Sequence, residues 1–282
     1  MRRAHYITIV AALGLTALLY WGVSTVPPAG AGPNQSGRGP HQEGPAHVDA
    51  ATTETILSDA RAKLPVHGQA ELAEAEKGLA GITDSLKMVP ALEAVAKVWA
   101  THDQGAAAGH YLAIAARLEK SPKKLNFAGQ FFLNLMNRQA DSPAVRLWEA
   151  KYAVDLLSKA LEIAPADSTK LALASGYIDG TGETMQGVQL LLGITRENPG
   201  HIPANLVLGK LAIQSGQWDK AIGRFQTVLK QEPRNKEALY FLAEAYKGKG
   251  EKQKAIETFE AVKQIVNNPD FSRDVDAYIK TF

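Results

Sequence analysis

The sequence predicts an all-α protein: an α-helical solenoid preceded by one transmembrane helix and a disordered linker. Three observations predict it: an uncharged apolar run at residues 7–23, a stretch dense in proline and glycine at 26–50, and a 34-residue repeat near the C-terminus. The chain of 282 residues is 45% hydrophobic, enough for a sizeable folded region. The predicted divisions are 1–25 (cytoplasmic stub and membrane anchor), 26–50 (linker), 51–88 (capping helices), 89–269 (solenoid of about five units) and 270–282 (C-terminal capping helix).

The first predicted element is the apolar run ITIVAALGLTALLYWGV at residues 7–23. At about 1.5 Å per residue it reaches roughly 25 Å, near the short end of what crosses a hydrocarbon core. Arg2 and Arg3 precede the run, and the next basic residue is Arg38. Because positive charge is retained in the cytoplasm, the run predicts a single-pass protein of the cytoplasmic (inner) membrane. In this prediction the N-terminus lies in the cytoplasm, and the repeat domain lies on the outer, periplasmic side.

A removable signal peptide is the alternative interpretation of this segment. Ala29, Gly30 and Ala31 offer small residues for cleavage, which would release a soluble secreted protein. The length of the run, and Pro27 and Pro28 before that tripeptide, favour an uncleaved anchor.

The linker at 26–50 has almost no large aliphatic residue, so it cannot bury enough apolar surface to offset the entropy of ordering. It is expected to be a disordered tether between the membrane and the folded part. His41 and His47 are isolated within it, which favours solvated side chains over a metal site.

The internal repeat is clearest between residues 205–233 and 239–266. Pairs of similar residues lie 34 positions apart: Leu208 and Leu242, Gly209 and Ala243, Gly216 and Gly250, Ala221 and Ala255, Phe225 and Phe259. The same step continues upstream through Gly182, Leu191 and Pro199. A fixed period of this length is typical of a solenoid whose units must stack to bury their apolar faces.

This pattern resembles the tetratricopeptide-repeat (TPR) family, in which each unit is a helix pair with small and large apolar residues at fixed offsets. The resemblance implies stacked TPR helix hairpins. Two weaker units are predicted at 89–121 and 122–167. In the second, the distance from Phe132 to Ala153 exceeds the family spacing by 12 residues, which predicts a lengthened second helix beginning near Ser142 and Pro143.

The ends of the solenoid are predicted to be capped. Residues 52–63 and 69–88 are expected to form two helices separated at Leu64 and Pro65. Residues 271–282 are expected to form a last helix with Val275, Tyr278 and Ile279 on one face. Such caps cover the apolar surface of a terminal repeat.

The resemblance further implies a concave groove lined by the first helix of each unit. Carried over by register, its positions are Thr169, Ala172, Gly176 and Asp179, then Pro203, Leu206, Lys210 and Ile213, then Glu237, Tyr240, Glu244 and Lys247. This lining is mixed and lacks the Lys and Asn set with which some family members clamp a C-terminal carboxylate. Recognition of a chaperone tail is therefore not predicted.

Composition and motifs argue against several classes of function. A net charge of +2 does not indicate nucleic-acid binding, and the absence of cysteine excludes disulfides, thiolate zinc sites and thiol nucleophiles. No catalytic motif, cofactor motif or metal motif is present, so an enzyme is not predicted. The sequence predicts a membrane-anchored scaffold or adaptor that binds a peptide or protein partner. An assembly factor for an envelope complex, such as one in c-type cytochrome maturation, is the alternative, and self-association stays open.

Overall fold

The computed structural model describes residues 50–138 and 142–281, and within these ranges every regular element is helical. The helices are α1 Thr53–Ala62, α2 Val66–Lys77, α3 Ser85–Thr101, α4 Gly105–Glu119, α5 Pro122–Met136, α6 Pro143–Ile163, α7 Asp167–Ser175, a π-helix Gly176–Thr181, α8 Thr184–Glu197, α9 Ile202–Gln214, α10 Trp218–Gln231, α11 Lys236–Lys249, α12 Lys252–Val266 and α13 Pro269–Ile279.

The predicted membrane span at 7–23 lies outside the described residues, as does nearly all of the predicted linker. Of the helices that the structure describes, none has the length and apolar character needed to cross a membrane.

Five helix pairs form the body of the protein: α3 with α4, α5 with α6, α7 and the π-helix with α8, α9 with α10, and α11 with α12. Each pair also packs against the next, and α13 packs on α12 after the last pair. Within the described residues, the all-α solenoid thus has five stacked pairs followed by one further helix. Val275 of helix α13 packs with Phe259 of α12 in a shared apolar cluster.

Close helix crossings explain the repeated small residues. Phe225 and Phe259 are 0% exposed, as expected for rings between neighbouring hairpins. A Cβ added at Gly209 would lie 2.6 Å from the Phe225 ring, so that ring fills the space that a larger residue would need. The inter-helix turns use Gly216 and Gly250 at φ of 69° and 86°, a conformation that other residues resist.

The prediction of one helix over residues 69–88 is wrong. Helix α2 ends at Lys77, and α3 begins at Ser85. Gly81 has a φ of 78° between them, and the Asp84 carboxylate accepts backbone hydrogen bonds at 2.9 and 3.3 Å as the N-cap of α3. The predicted boundary between cap and solenoid at residue 88 therefore falls inside the first helix of the first repeat.

The lengthened helix of the second unit is confirmed. Helix α6 begins at Pro143, and the Ser142 hydroxyl caps it by accepting from the Val145 N–H at 3.3 Å. The lengthened helix contacts α1: the Trp148 indole donates a hydrogen bond to the Thr53 hydroxyl at 3.2 Å. Helix α1 is thereby held against the side of the solenoid.

The π-helix continues α7 and packs on the same lengthened helix. A Cβ at Gly180 would lie 2.6 Å from the Ala150 Cβ and 2.8 Å from the Met136 sulfur. The chain stays helical to Thr181 and turns at Gly182, where φ is 78°.

Candidate functional site

The predicted groove positions lie on the first helices of three successive units, α7 with the π-helix, α9 and α11. In the first of these, Thr169 is buried and its hydroxyl accepts from the Asn126 amide at 2.6 Å. Ala172 is half-buried against the apolar cluster of α5 and α6, and Asp179 is exposed and accepts from the Ser175 hydroxyl at 2.9 Å.

The middle part of the surface combines apolar contacts with one ion pair. Leu206 and Ile213 are half-buried against the core between α10 and α11. Lys210 pairs with Glu237 at 2.9 Å, with its ammonium 5.7 Å from the centre of the Phe241 ring. This pair joins two neighbouring first helices and is well exposed, so it contributes about 1 kcal/mol or less to stability.

At the C-terminal end, α13 covers the predicted groove. The Tyr240 ring meets the Phe259 ring edge-on at 5.6 Å, within the cluster that α13 completes. The Tyr278 hydroxyl donates to Glu244 at 3.1 Å, and the Lys247 ammonium lies 3.9 Å from the centre of the Tyr278 ring. Tyr240, Glu244 and Lys247 therefore already have partners within the chain, which the 34-residue register did not indicate.

Burial changes the ionisation of this end. It raises the pKa of Tyr240 above its ordinary value, and Glu244 adds to that effect. Burial also raises the pKa of Glu244, although the hydrogen bond from Tyr278 and the charge of Lys247 act in the opposite direction.

An open cleft of about 500 Å³ lies farther along the first helices, between α5 and the start of α7. Its lining residues are Pro122, Lys123, Asn126, Phe127, Gln130, Ala160, Ala164, Ala166, Ser168 and Thr169. Phe127 is 63% exposed, a large ring displayed on the surface rather than packed in the core. Of the predicted groove positions, only Thr169 lines this cleft.

Three polar side chains in the cleft form a connected row. Gln130 donates to the Asn126 oxygen at 3.2 Å, and Asn126 donates to Thr169 at 2.6 Å. A carboxamide carries two donors and an acceptor oxygen, so these contacts fix the row without using all of its capacity. Lys123 is exposed beside the row and forms no ion pair with any residue that the structure describes.

These cleft residues were missed from the sequence because the register of the second unit was uncertain. Asn126 precedes Ala172 by 46 residues, which is one 34-residue repeat plus the 12-residue extension of α6. The same offset relates Lys123 to Thr169. Applying the extension to the register would have placed Lys123, Asn126 and Gln130 at groove positions.

Metal binding has little support in the described part of the chain. Within residues 50–138 and 142–281, no three His, Asp or Glu side chains are grouped so that they could hold an ion. His102 pairs with Glu71 at 2.9 Å and contacts the His67 ring edge-on.

The solved structures that resemble this chain share its fold. MamA aligns with a TM-score of 0.51 and 16% identity over 65% of this chain and 93% of its own. MamA from Desulfovibrio magneticus RS-1 aligns with a TM-score of 0.51 and 18% identity over 67% and 99%. PilW, described as a type IV pilus biogenesis factor, aligns with a TM-score of 0.50 and 15% identity over 75% and 99%. At these identities the likeness concerns the fold alone.

The sequence itself matches one family. No curated protein matches the chain. The model of the tetratricopeptide-repeat family matches residues 206–269, which span most of α9 and all of α10, α11 and α12. The 34-residue step, the five stacked pairs and the glycine turns agree with that match. Residues 206–269 therefore form tetratricopeptide repeats.

Proposed function

We propose that this protein is a scaffold that binds an extended peptide segment of a partner protein in the cleft between α5 and α7. The observation that carries the proposal is the Phe127 ring, 63% exposed, beside the Gln130–Asn126–Thr169 row. A displayed aromatic ring next to oriented polar groups is the usual composition of a binding hot spot. The proposed activity is binding without catalysis.

The chemistry of the cleft suits a peptide backbone. Each peptide unit carries one N–H donor and one carbonyl acceptor, and a carboxamide side chain can form hydrogen bonds with both. Thr169 fixes Asn126 in place, so less side-chain freedom is lost when a ligand binds. The ring of Phe127 supplies apolar contact for one ligand side chain, and Lys123 favours an acidic neighbour in the ligand.

Leu206, Ile213 and the Lys210–Glu237 pair lie on the first helices of later units, where they would add mixed contacts for a longer segment. The covering of Tyr240 by Phe259 and α13 makes the C-terminal end a weaker contact. We therefore place the main contact at Phe127 and a secondary one at Leu206.

Placement at the cytoplasmic membrane, with the repeats on its outer side, is part of the proposal. It is supported by the uncharged run at 7–23 and by Arg2 and Arg3 before it. The full chain is expected to stay with membranes through salt and alkaline washes. Recovery of a soluble protein whose N-terminus lies near Gly32 would instead establish the cleaved, secreted form.

Site-specific photo-crosslinking in intact cells tests the binding surface. A photoreactive residue at position 127 is expected to capture a partner, whereas the same residue at Lys151, exposed on α6 outside the cleft, is not. The captured protein is then titrated against the purified chain and its F127A variant. Equal capture at both positions would contradict binding in the cleft. A partner belonging to an envelope assembly pathway would favour the assembly-factor alternative over a general scaffold.

A further inference from the structure

A second cleft lies on the second helices, away from the proposed peptide site. It has a volume of about 340 Å³ and is formed by α8, α10 and the start of α9. Its lining residues are Thr195, Pro199, Asn205, Lys220, Gly223, Arg224 and Thr227. Two of these side chains are cationic and none is acidic, and no predicted groove position is among them.

A buried asparagine holds the guanidinium of Arg224 at this cleft. Asn205 is 1% exposed, and its amide donates to the carbonyls of Pro199 at 2.9 Å and His201 at 3.0 Å. Its oxygen then accepts from Arg224 Nη1 at 3.0 Å. The loop between two repeats thus orients Asn205, and Asn205 orients the arginine.

This arrangement leaves most of the guanidinium unused. A guanidinium has about five N–H donors, and the contact with Asn205 takes one. No carboxylate in the described ranges pairs with Arg224. Burial lowers the pKa of Arg224, and no neighbouring negative charge offsets that effect. A half-buried cation in this state is stabilised by an anionic ligand.

Lys220 adds a second positive charge one helical turn before Arg224. Its ammonium donates to the neutral side chain of Gln217 at 2.5 Å, and no ion pair to it occurs among the described residues. Like charges four residues apart on a helix repel each other. A negative group in the cleft would relieve that repulsion.

The hydroxyl groups of the cleft select the shape of the anion. Thr227 donates its proton to the Gly223 carbonyl at 2.9 Å, and Thr195 donates to the Leu192 carbonyl at 3.3 Å. Both hydroxyl protons are therefore used within the chain and are not available to an anion in the cleft. A tetrahedral phosphate needs donors for three charged oxygens, whereas a planar carboxylate is satisfied by the fork of one arginine and a nearby ammonium.

We propose that this cleft is a carboxylate-binding site, in which Arg224 and Lys220 bind an acidic group of a protein ligand. The inference is independent of the peptide site at Phe127, because the two clefts share no residue. It gives the protein a second binding surface, on the second helices of its third and fourth units.

The test follows the side-chain N–H signals of Arg224 by nuclear magnetic resonance in the full-length chain labelled with ¹⁵N-arginine. Three short peptide probes separate the sources of a carboxylate. One has two Glu residues and an amidated C-terminus, one has Gln in their place, and one has Gln with a free C-terminus. We expect saturable shifts with the Glu peptide and none with the amidated Gln peptide. A shift with the third probe would assign the ligand group to a chain terminus.

Variants connect the shifts to the cleft. R224Q is expected to weaken binding of the Glu peptide about tenfold, the effect of losing a charged hydrogen-bonded pair. R224K keeps the charge but loses the fork, so its affinity for the Glu peptide should lie between those of the wild type and R224Q. K220Q should also weaken binding, and it leaves the Asn205 contact intact if R224Q does not fold. R234Q, at an exposed arginine outside the cleft, is the matched control and should bind normally.

Three results would overturn the assignment. The first is that the Arg224 signals shift no further with the Glu peptide than with sodium chloride at equal ionic strength. The second is that R234Q weakens binding as much as R224Q does. The third is that inorganic phosphate binds more tightly than the Glu peptide, which would make the cleft a phosphate site.

Discussion

The hydroxyl of Tyr278 donates a hydrogen bond to the carboxylate of Glu244 at 3.1 Å, which ties the C-terminal helix α13 to the first helix of the last repeat. The other carboxylate oxygen of Glu244 is buried, and it has no hydrogen-bond partner among the described residues. The last repeat therefore carries an acidic group whose ionised form is only partly satisfied.

This burial predicts a pH dependence of stability. Because burial raises the pKa of Glu244 in the folded chain, the folded state binds this proton more tightly than the unfolded state does. Stability contributed by the protonated form is present below the unfolded pKa of about 4.3 and is lost as pH rises through the folded pKa. Urea unfolding of wild type and E244Q at pH 4 and pH 7 is expected to show a smaller loss between these values in E244Q. An identical pH dependence in both proteins would show that Glu244 does not titrate in this way.

Phe225 is expected to contribute strongly to stability. Its ring is fully buried and contacts Gly209 across the pair of the fourth unit. Phe225→Ala should lower the free energy of unfolding by about 3–5 kcal/mol, since it leaves a cavity between helices that cannot collapse completely. Lys230→Ala, at an exposed position of the same helix, should change it by no more than about 0.5 kcal/mol. Both values come from urea denaturation followed by circular dichroism.

Local sequence signals predicted the parts of the fold that local chemistry determines. The turns at Gly216 and Gly250 and the start of α6 at Pro143 follow from backbone preferences at those residues. The docking of α1 depends on the contact of Thr53 with Trp148, which lies 95 residues away and belongs to no repeat. No periodicity carries that information.

The candidate site also has a part that the sequence predicted and a part that it did not. The 34-residue register placed Leu206 and Lys210 on the first helices, where the structure has them. It did not indicate how far Tyr240 is covered, because Phe271, Val275, Tyr278 and Ile279 of its cluster belong to α13 and not to a full repeat. The displayed ring of Phe127 was missed for another reason: with the extension of α6 included, Phe127 aligns with Leu173, which is a buried core position in the next unit.

The π-helix gives a matched pair of glycine substitutions. Gly180→Ala should lower the free energy of unfolding by about 1–3 kcal/mol, because the new Cβ would lie 2.6 Å from that of Ala150. Gly193, in α8, has open space around the same position. Gly193→Ala should raise stability by up to about 1 kcal/mol, since alanine favours a helix more than glycine does. Equal effects of the two substitutions would mean that the packing of the π-helix on α6 is loose.

The last prediction concerns which aromatic ring binds the partner. Phe127→Ala should weaken binding of the captured partner by about 2 kcal/mol with little change in thermal unfolding, because the ring is 63% exposed and supports no core contact. Tyr240→Ala with Leu206→Ala should reduce stability as well as binding, since Tyr240 packs against Phe259 and Leu206 against the core of α10 and α11.

The control for this comparison must be neutral to folding. A substitution at Lys263 would not be neutral to folding, because Lys263 pairs with Glu260 and Asp276 and ties α13 to α12. Lys151→Glu, at an exposed position of α6 that lines neither cleft, is the better choice. Titration and circular dichroism of each variant separate lost contacts from lost structure, because only the first lowers affinity at unchanged helical content. If Phe127→Ala binds the partner normally while the Tyr240 and Leu206 double variant loses affinity without losing stability, the binding surface lies at the C-terminal end of the groove and the cleft at α5 is not the site.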